Sequence, residues 1–279
     1  MPELPEVETI RHALLKGNLI GQVILQVEIK NKKLVKEISS ENFTTSLIGQ
    51  TFHNLERKGK QLIFLLDKWA LLSHLRMTGK YFFDEVPVNL LAEKRSIGLI
   101  IYLSSGKKLI YCDARCFGAF YLQPRDAFRV SVPYKNLGPD ALQEEISVDY
   151  LKNCFQTLKI PIKVALLEQK IISGIGNIYA SEILFMAKIN PLKPTNKLSR
   201  EEIEKVLYHT KVILQKALEL GGTSVVDFIS PFGKGSYQQE LKVYMRENKP
   251  CYQCQTTIIM ERINNRSSFF CPHCQKLEL

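Results

Sequence analysis

Four cysteines near the end of the chain stand in two C-x2-C pairs, Cys251-Tyr-Gln-Cys254 and Cys271-Pro-His-Cys274, with sixteen residues between them. Four thiolates at this spacing satisfy a tetrahedral zinc ion and leave no open position, so the metal is expected to build structure rather than react. Such a site forces its segment into two tight knuckles facing each other. Residues 256–263 and 267–270 are suited to strands, and Asn264-Asn265 suits the turn between them because Asn tolerates left-handed backbone. The spacing therefore predicts a zinc hairpin with Arg266 beside its tip. An arginine there is either a solvated surface group or a phosphate contact. His273 lies inside a knuckle and is assigned no ligand role. Cys112, Cys116 and Cys154 are scattered and read as buried rather than reactive thiols. With no secretory signal at the start, disulfides are not expected.

The remaining chain has room for two or three domains with proper cores. Val7, Ile10, Leu14 and Leu15 fall at helical spacing and predict a first helix over 6–16. After Gly21 the pattern turns β-like. Val23, Ile24 and Val27 lead into runs at 61–67, 70–74, 97–103 and 108–112, with 104–107 as a hairpin turn. Short strands at this spacing predict an antiparallel sandwich or barrel. Leu137-Gly138-Pro139-Asp140 breaks the pattern, and helices are expected at 148–158, 162–172, 178–188 and 200–220, the last closed by Gly221-Gly222. A loop with Pro231, Gly233 and Gly235 follows. The expected class is α+β and multidomain: an N-terminal helix plus β-sandwich over 1–132, a helical domain over 133–228, a loop and linker over 229–242, and the zinc finger over 243–279.

Charge narrows the partners. Thirty-eight Lys and Arg against 28 Asp and Glu give a net charge of +10. That excess points to a polyanion, nucleic acid ahead of an anionic membrane surface. No apolar run approaches a membrane span, and no charged-then-apolar leader opens the chain. A cytoplasmic protein, nucleoid-associated in a bacterium, is expected.

Several short segments carry potential chemistry. The chain opens Met1-Pro2-Glu3-Leu4-Pro5-Glu6. Proline after methionine permits removal of the methionine, which would leave Pro2 as a secondary amine. An α-amino group titrates at about 7.7–8.0 against about 10.4 for lysine, so part of it is a nucleophile near neutrality. Amines form Schiff bases with sugar aldehydes. The plainer reading is a helix start, with Pro5 at the first helical position and acidic residues favoured by the dipole. Gly174-Ile175-Gly176-Asn177 separates two helices. Asn177 is placed to cap the second, making either an anion site to which Lys163 adds a cation or a simple corner. Arg57-Lys58-Gly59-Lys60 before a strand is either a solvated edge or a phosphate and proton-handling group. The segments His74–Gly79 and Asp113–Gly118 put Met77, Arg115 and Phe117 on turns. There they either pack in a core or fill the void left when a base is flipped from a duplex.

In their order and spacing these segments resemble, along the full length of the chain, the formamidopyrimidine-DNA glycosylases of bacterial base excision repair. The matching pieces are Pro2–Thr9, Lys58-Gly59-Lys60, His74–Gly79, Asp113–Gly118, Leu137-Gly138-Pro139, Gly174–Tyr179 and the four-cysteine finger. The resemblance implies a helix–two-turn–helix domain between the sandwich and the finger, with DNA between the two halves. It implies excision of oxidised purines, chiefly 8-oxoguanine and formamidopyrimidines, followed by cleavage at the abasic site through β,δ-elimination. On this chain it assigns Pro2 as nucleophile and Glu3 as proton donor to the opening sugar ring. Glu6 becomes support for the site, Lys60 an aid to β-elimination, and Arg266 a backbone grip linked to δ-elimination. Met77, Arg115 and Phe117 become void fillers, Lys163 and Asn177 phosphate contacts, and 228–237 a cover over the flipped base. The partner implied is damaged double-stranded DNA, with one structural Zn2+ per chain, no membrane role and a monomeric chain.

Some positions depart from the family pattern. Cys116 stands where Lys or Arg is usual. Ser96 lies near the place of a common histidine, and Asn190 replaces another before Pro191. Gln255 and Asn265 replace glycines of the finger. Leu4 favours this family over the endonuclease VIII-like relatives that act on oxidised pyrimidines, which carry glycine there. A non-catalytic zinc-finger DNA-binding protein would leave Pro2, Glu3 and Lys60 without a role.

Overall fold

A computed structural model describes residues 1–84, 96–224 and 235–277. Among them the chain forms two compact units, Met1–Lys135 with Leu220–Ser236, and Asn136–Glu219 with Tyr237–Leu279. No helix among the described residues is long and apolar enough to cross a membrane.

In the first unit, helix α1 (Leu4–Lys16) precedes strands β1 (Ile24–Ile29) and β2 (Val35–Lys36), helix α2 (Ser40–Leu47), and strands β3 (Asn54–Lys58), β4 (Gln61–Leu65) and β5 (Trp69–His74). Strands β6 (Lys80–Phe83), β7 (Ile97–Leu103), β8 (Lys108–Cys112) and β9 (Ala119–Pro124) complete it. Two sheets result, ordered β1-β7-β8-β6 and β2-β9-β5-β4-β3. One continuous core lies between them, drawing Val27, Leu99 and Tyr111 from the first sheet and Phe64, Leu71 and Phe120 from the second. This is the expected sandwich with one difference: β2 runs parallel to β9. β2 is a two-residue edge strand that needs only one neighbour.

A file of edge-to-face aromatic rings runs through this core, from Phe52 through Phe64, Tyr81, Tyr111 and Phe120 to Phe43, with centroids 4.8–6.4 Å apart. Such contacts add to plain area burial and fix ring orientation. Strands β2, β3, β6 and β9 and helix α2 were not expected from the sequence. The alternation of β3 puts Leu55 and Arg57 inward, and an inward arginine hides the strand period. α1 starts earlier than expected, with Glu3 as N-cap and Pro5 at the second helical position.

In the second unit, helices α3 (Val148–Gln156), α4 (Ile162–Leu167), α5 (Asn177–Met186) and α6 (Arg200–Glu219) are followed by strands β10 (Ile259–Ile263) and β11 (Arg266–Phe270). α4 stops well short of residue 172. Gln169 locks the double turn after it, donating to Leu167 O and Ile175 O and accepting from Gly174 N. β10 begins later than expected because 256 and 258 serve the first knuckle, where Cys251 N donates to Thr256 O and Ile258 N to Lys249 O. Phe185 of α5 packs with Val243, Ile258, Cys251 and Cys271. The metal module thus shares a core with a helix, which a hairpin of its size requires for stability.

Candidate active site and nucleic-acid interface

The start of α1 is buried. Pro2 is covered, and Glu3 is 2% exposed. The Glu3 N–H donates to Glu6 Oε2 at 2.8 Å, a capping interaction that holds the helix start in shape. The other oxygen of Glu6 accepts from Thr223 N at 2.7 Å. One carboxylate therefore joins the helix start to the segment that follows α6 in the chain.

Lys60 is buried in the β3–β4 turn. A chain of polar contacts holds that turn to α1. Glu8 accepts from Arg57 Nε at 2.6 Å, and Arg57 Nη1 donates to Gly59 O at 2.9 Å. Glu8 is also paired with Arg11 and His12. Burial pushes the Glu8 carboxyl up, but the hydrogen bond from Arg11 and the charge of Arg57 outweigh it and hold the group below its usual value. His74, at the end of β5, is driven down to about 3, first by burial and then by Arg76 and Lys60. Its neutral ring fits its role, since Nδ1 accepts from Arg76 N at 3.0 Å.

Met77 is half-buried on the turn after β5, while Arg115 and Phe117 are exposed on the turn after β8. The Arg115 guanidinium lies 4.9 Å from the Phe117 ring centroid. Phe117 is 54% exposed, which rules out the plain core reading for this ring. Ser96 is buried beside the same turn, where its carbonyl accepts from Asp113 N at 2.7 Å.

In the second unit two expectations change. Asn177 does not cap α5. Gly176 is the N-cap, and the Asn177 amide instead donates to Ser267 O at 2.9 Å, next to Arg266. Asn177 thus clasps the hairpin whose tip carries the exposed Arg266. Lys163, expected to add a cation at this helix end, is buried rather than open to the surface. It is 1% exposed and donates to Asn177 O at 3.1 Å and to Ser181 Oγ, so its charge sits under the first turn of α5. Asn190 is a structural clasp as well, donating to Gln275 O at 2.8 Å. The expected cover over 228–237 falls mostly on residues 225–234, which lie outside the described residues.

The four cysteine sulfurs all lie within 4.8 Å of one another, and three pairs are 3.4–3.9 Å apart. Zn–S bonds of about 2.3 Å in a tetrahedron place sulfurs about 3.8 Å apart, so the donor set fits zinc in size as well as chemistry. Cys251, Cys254, Cys271 and Cys274 are the ligands of one structural zinc. Glu182 on α5, which the sequence did not single out, anchors this module: its carboxylate accepts from Lys242 N, Val243 N and Tyr244 N at 2.8–3.0 Å. Glu8, Arg57 and Asp113 were also missed as organising groups. All four are polar residues buried to within 4% of full cover, with partners that local pattern cannot reveal.

Comparison with known proteins gives a concordant result. Residues 1–120 match the family model of the formamidopyrimidine-DNA glycosylase N-terminal domain, 137–228 the formamidopyrimidine-DNA glycosylase H2TH domain, and 248–277 a zinc finger found in FPG and IleRS. A formamidopyrimidine-DNA glycosylase of Cytobacillus firmus is 38% identical, with 99% of this chain and 100% of that protein covered. That of Streptococcus mutans is 37% identical over 99% of this chain and all of its own length. Among solved structures, a Lactococcus lactis FPG mutant bound to Fapy-dG-containing DNA superposes with a TM-score of 0.90 at 34% identity, covering 99% of this chain and 100% of that one. A complex of the L. lactis protein with abasic-site DNA gives the same values. Another, with DNA containing an oxidised pyrimidine, gives a TM-score of 0.88 at 35% identity, again over 99% and 100% of the two chains.

Proposed function

This chain belongs to the formamidopyrimidine-DNA glycosylase family and is a DNA-repair glycosylase with a zinc finger, and from that premise we propose that it excises oxidised purines through a Schiff base on Pro2 and then cleaves the strand. The observation that carries this reading is the buried start of α1, where Pro2 and Glu3 are covered and Glu6 holds the Glu3 N–H and the Thr223 N–H.

With Met1 removed, the Pro2 amine attacks C1′ of the damaged nucleotide, and the C1′–N bond breaks as the base departs with a proton. Glu3 donates a proton to the ring oxygen, which opens the sugar and leaves an iminium on C1′. The iminium acidifies C2′. Loss of that proton, aided by Lys60, expels the 3′ phosphate. A second elimination, to which Arg266 is linked, expels the 5′ phosphate. Water then hydrolyses the iminium and frees the amine. Protonation and elimination of this kind need positioned acids and bases, and no redox step occurs. Met77, Arg115 and Phe117 occupy the emptied stack. Asn177 and Arg266 grip the backbone, and buried Lys163 supplies charge beneath the same helix start. The enzyme is read as a monomer acting on chromosomal DNA in a bacterial cytoplasm.

The test is borohydride trapping on a duplex with 8-oxoguanine. A covalent adduct that disappears in Pro2→Gly supports the mechanism, and tight binding with no adduct defeats it. A thymine glycol duplex is run beside it, because the L. lactis relative has been solved with an oxidised pyrimidine. Faster turnover of thymine glycol would replace the purine reading.

A further inference from the structure

We propose that Asp113 is the positioning residue that makes the two void-filling turns act as a single wedge. The inference rests on the excision activity proposed above.

Asp113 is 1% exposed at the end of β8. Its Oδ1 accepts from Thr78 Oγ1, on the turn that carries Met77, and from Arg115 N at 3.2 Å, on its own turn. Its Oδ2 accepts from Gly118 N at 2.6 Å, closing the turn that carries Phe117. Thr78 Oγ1 also accepts from Arg115 N at 3.2 Å, so the two turns meet in a closed ring of hydrogen bonds. Bonds to a carboxylate are stronger than those between neutral groups. Both oxygens are engaged: Oδ1 takes a donor from each turn, and Oδ2 takes Gly118 N and, at 3.5 Å, the Tyr111 hydroxyl.

The junction is also packed from beneath. A Cβ on Gly118 would come within 2.0 Å of the Tyr111 hydroxyl oxygen, and one on Gly79 within 2.5 Å of the same atom. One phenol therefore fills the space under the closing glycine of both turns. Tyr111 belongs to the aromatic file of the core, which fixes its position. Burial, and after it the Asp113 charge, raises the Tyr111 hydroxyl well above its usual range, so it remains a neutral donor. Met77 and the Arg115–Phe117 pair are thus held in register with the sandwich rather than as two independent loops.

A wedge works by entering the stack as the damaged base leaves. If the two turns fluctuate separately, opening a paired duplex slows, while steps on an already extrahelical sugar do not. Asp113→Asn keeps the shape but replaces one acceptor oxygen with a donor that faces an N–H or O–H donor. Thr78→Val removes the two hydrogen bonds between the turns, to Asp113 and from Arg115 N, and leaves the carboxylate's bonds to Arg115 N and Gly118 N.

The experiment compares two single-turnover rates for each variant: excision from a paired 8-oxoguanine duplex, and strand cleavage at an abasic site in a single strand, where no stack has to be opened. Thermal unfolding is followed in parallel. Asp113→Asn is expected to slow duplex excision by about tenfold or more, the worth of one hydrogen bond to a charged group, and Thr78→Val by a smaller factor. Single-strand cleavage should stay within about twofold of the parent for both. 2-Aminopurine opposite the lesion should lose its fluorescence change on binding. Equal loss on both substrates would reduce Asp113 to a structural residue, and unchanged duplex excision would remove it from the wedge; either overturns the proposal. A parent enzyme inactive on both substrates would instead overturn the excision reading.

Discussion

Glu8 Oε2 lies 2.6 Å from Arg57 Nε, with the arginine side chain fully covered and the glutamate nearly so. Because Arg57 also holds Gly59 O, this pair joins the helix carrying Pro2 and Glu3 to the turn carrying Lys60. Removing Arg57 takes the only described donor from Glu8 Oε2 and leaves the buried carboxylate to Arg11 and His12 on its other oxygen. Arg57→Ala is expected to cost about 3 kcal/mol in denaturant unfolding. Replacing both members with Met should recover part of the stability but not the trapping rate, since Lys60 loses its tether. Recovery of both together would show the pair to be only structural filling. The folded Glu8 carboxyl is depressed, so its contribution is fully present above its unfolded value and is lost as pH falls through the folded one.

His74 gives a second pH dependence. Its ring titrates near 3 in the fold against 6.5 unfolded. The unfolded chain takes up a proton first as pH falls, so stability is full above 6.5 and declines from there toward 3. Between pH 7 and pH 5 the loss should be about 2 kcal/mol, and His74→Gln should flatten it. Urea midpoints at the two pH values measure this, and identical slopes in parent and variant would contradict it.

Zinc and Glu182 should prove coupled. Chelation is expected to release one zinc per chain, with loss of DNA binding. Glu182→Ala strips three backbone amides, Val243's buried and those of Lys242 and Tyr244 half-buried, of their acceptor, at a cost of about 3 kcal/mol. It should therefore speed zinc release to a chelator, followed with a colorimetric zinc indicator. Unchanged release kinetics would mean that the knuckles hold the metal without help from α5.

Gln255 adopts a left-handed conformation, φ 61°, at the turn after the first knuckle. Holding a long side chain there costs about 1 kcal/mol, which glycine avoids. Gln255→Gly is expected to leave the finger as stable or more so by up to about 1 kcal/mol, read from the chelator concentration that unfolds it. Asn265, at φ 60°, gains less from the same change because Asn tolerates this region. A loss of stability in Gln255→Gly would show that its side chain has an unrecognised partner.

What the sequence revealed and what it hid follow one division. The cysteine pairs, the main strands of the sandwich and the long helix α6 were legible because their signals are local: ligand spacing, β-branched and aromatic runs, and helical period. β3 was hidden because Arg57 faces inward and finds its partner forty-nine residues away. The early end of α4 was hidden because a single glutamine side chain closes the turn. Asn177 looked like a cap by position, yet its amide is taken by a hairpin ninety residues on. Lys163 was read as adding its cation to the helix-end anion site, and its burial under α5 could not be seen in the sequence because it depends on packing against that helix. Motif order found the family, whereas the groups that hold its site together become visible only when distant segments are brought into contact.

The first unit is not one stretch of chain. It closes only when Leu220–Ser236 returns to it after the helices of the second, and it then uses the Thr223 amide to hold Glu6. A gene fragment ending near residue 135 would encode every proposed catalytic side chain of that unit and still lack the donor that steadies its carboxylate. Such a fragment should not survive transplantation onto another DNA-binding scaffold. Recombination within this lineage should tolerate whole-length exchange far better than exchange of halves, because the first unit is assembled from two stretches of chain with the second unit's helices between them.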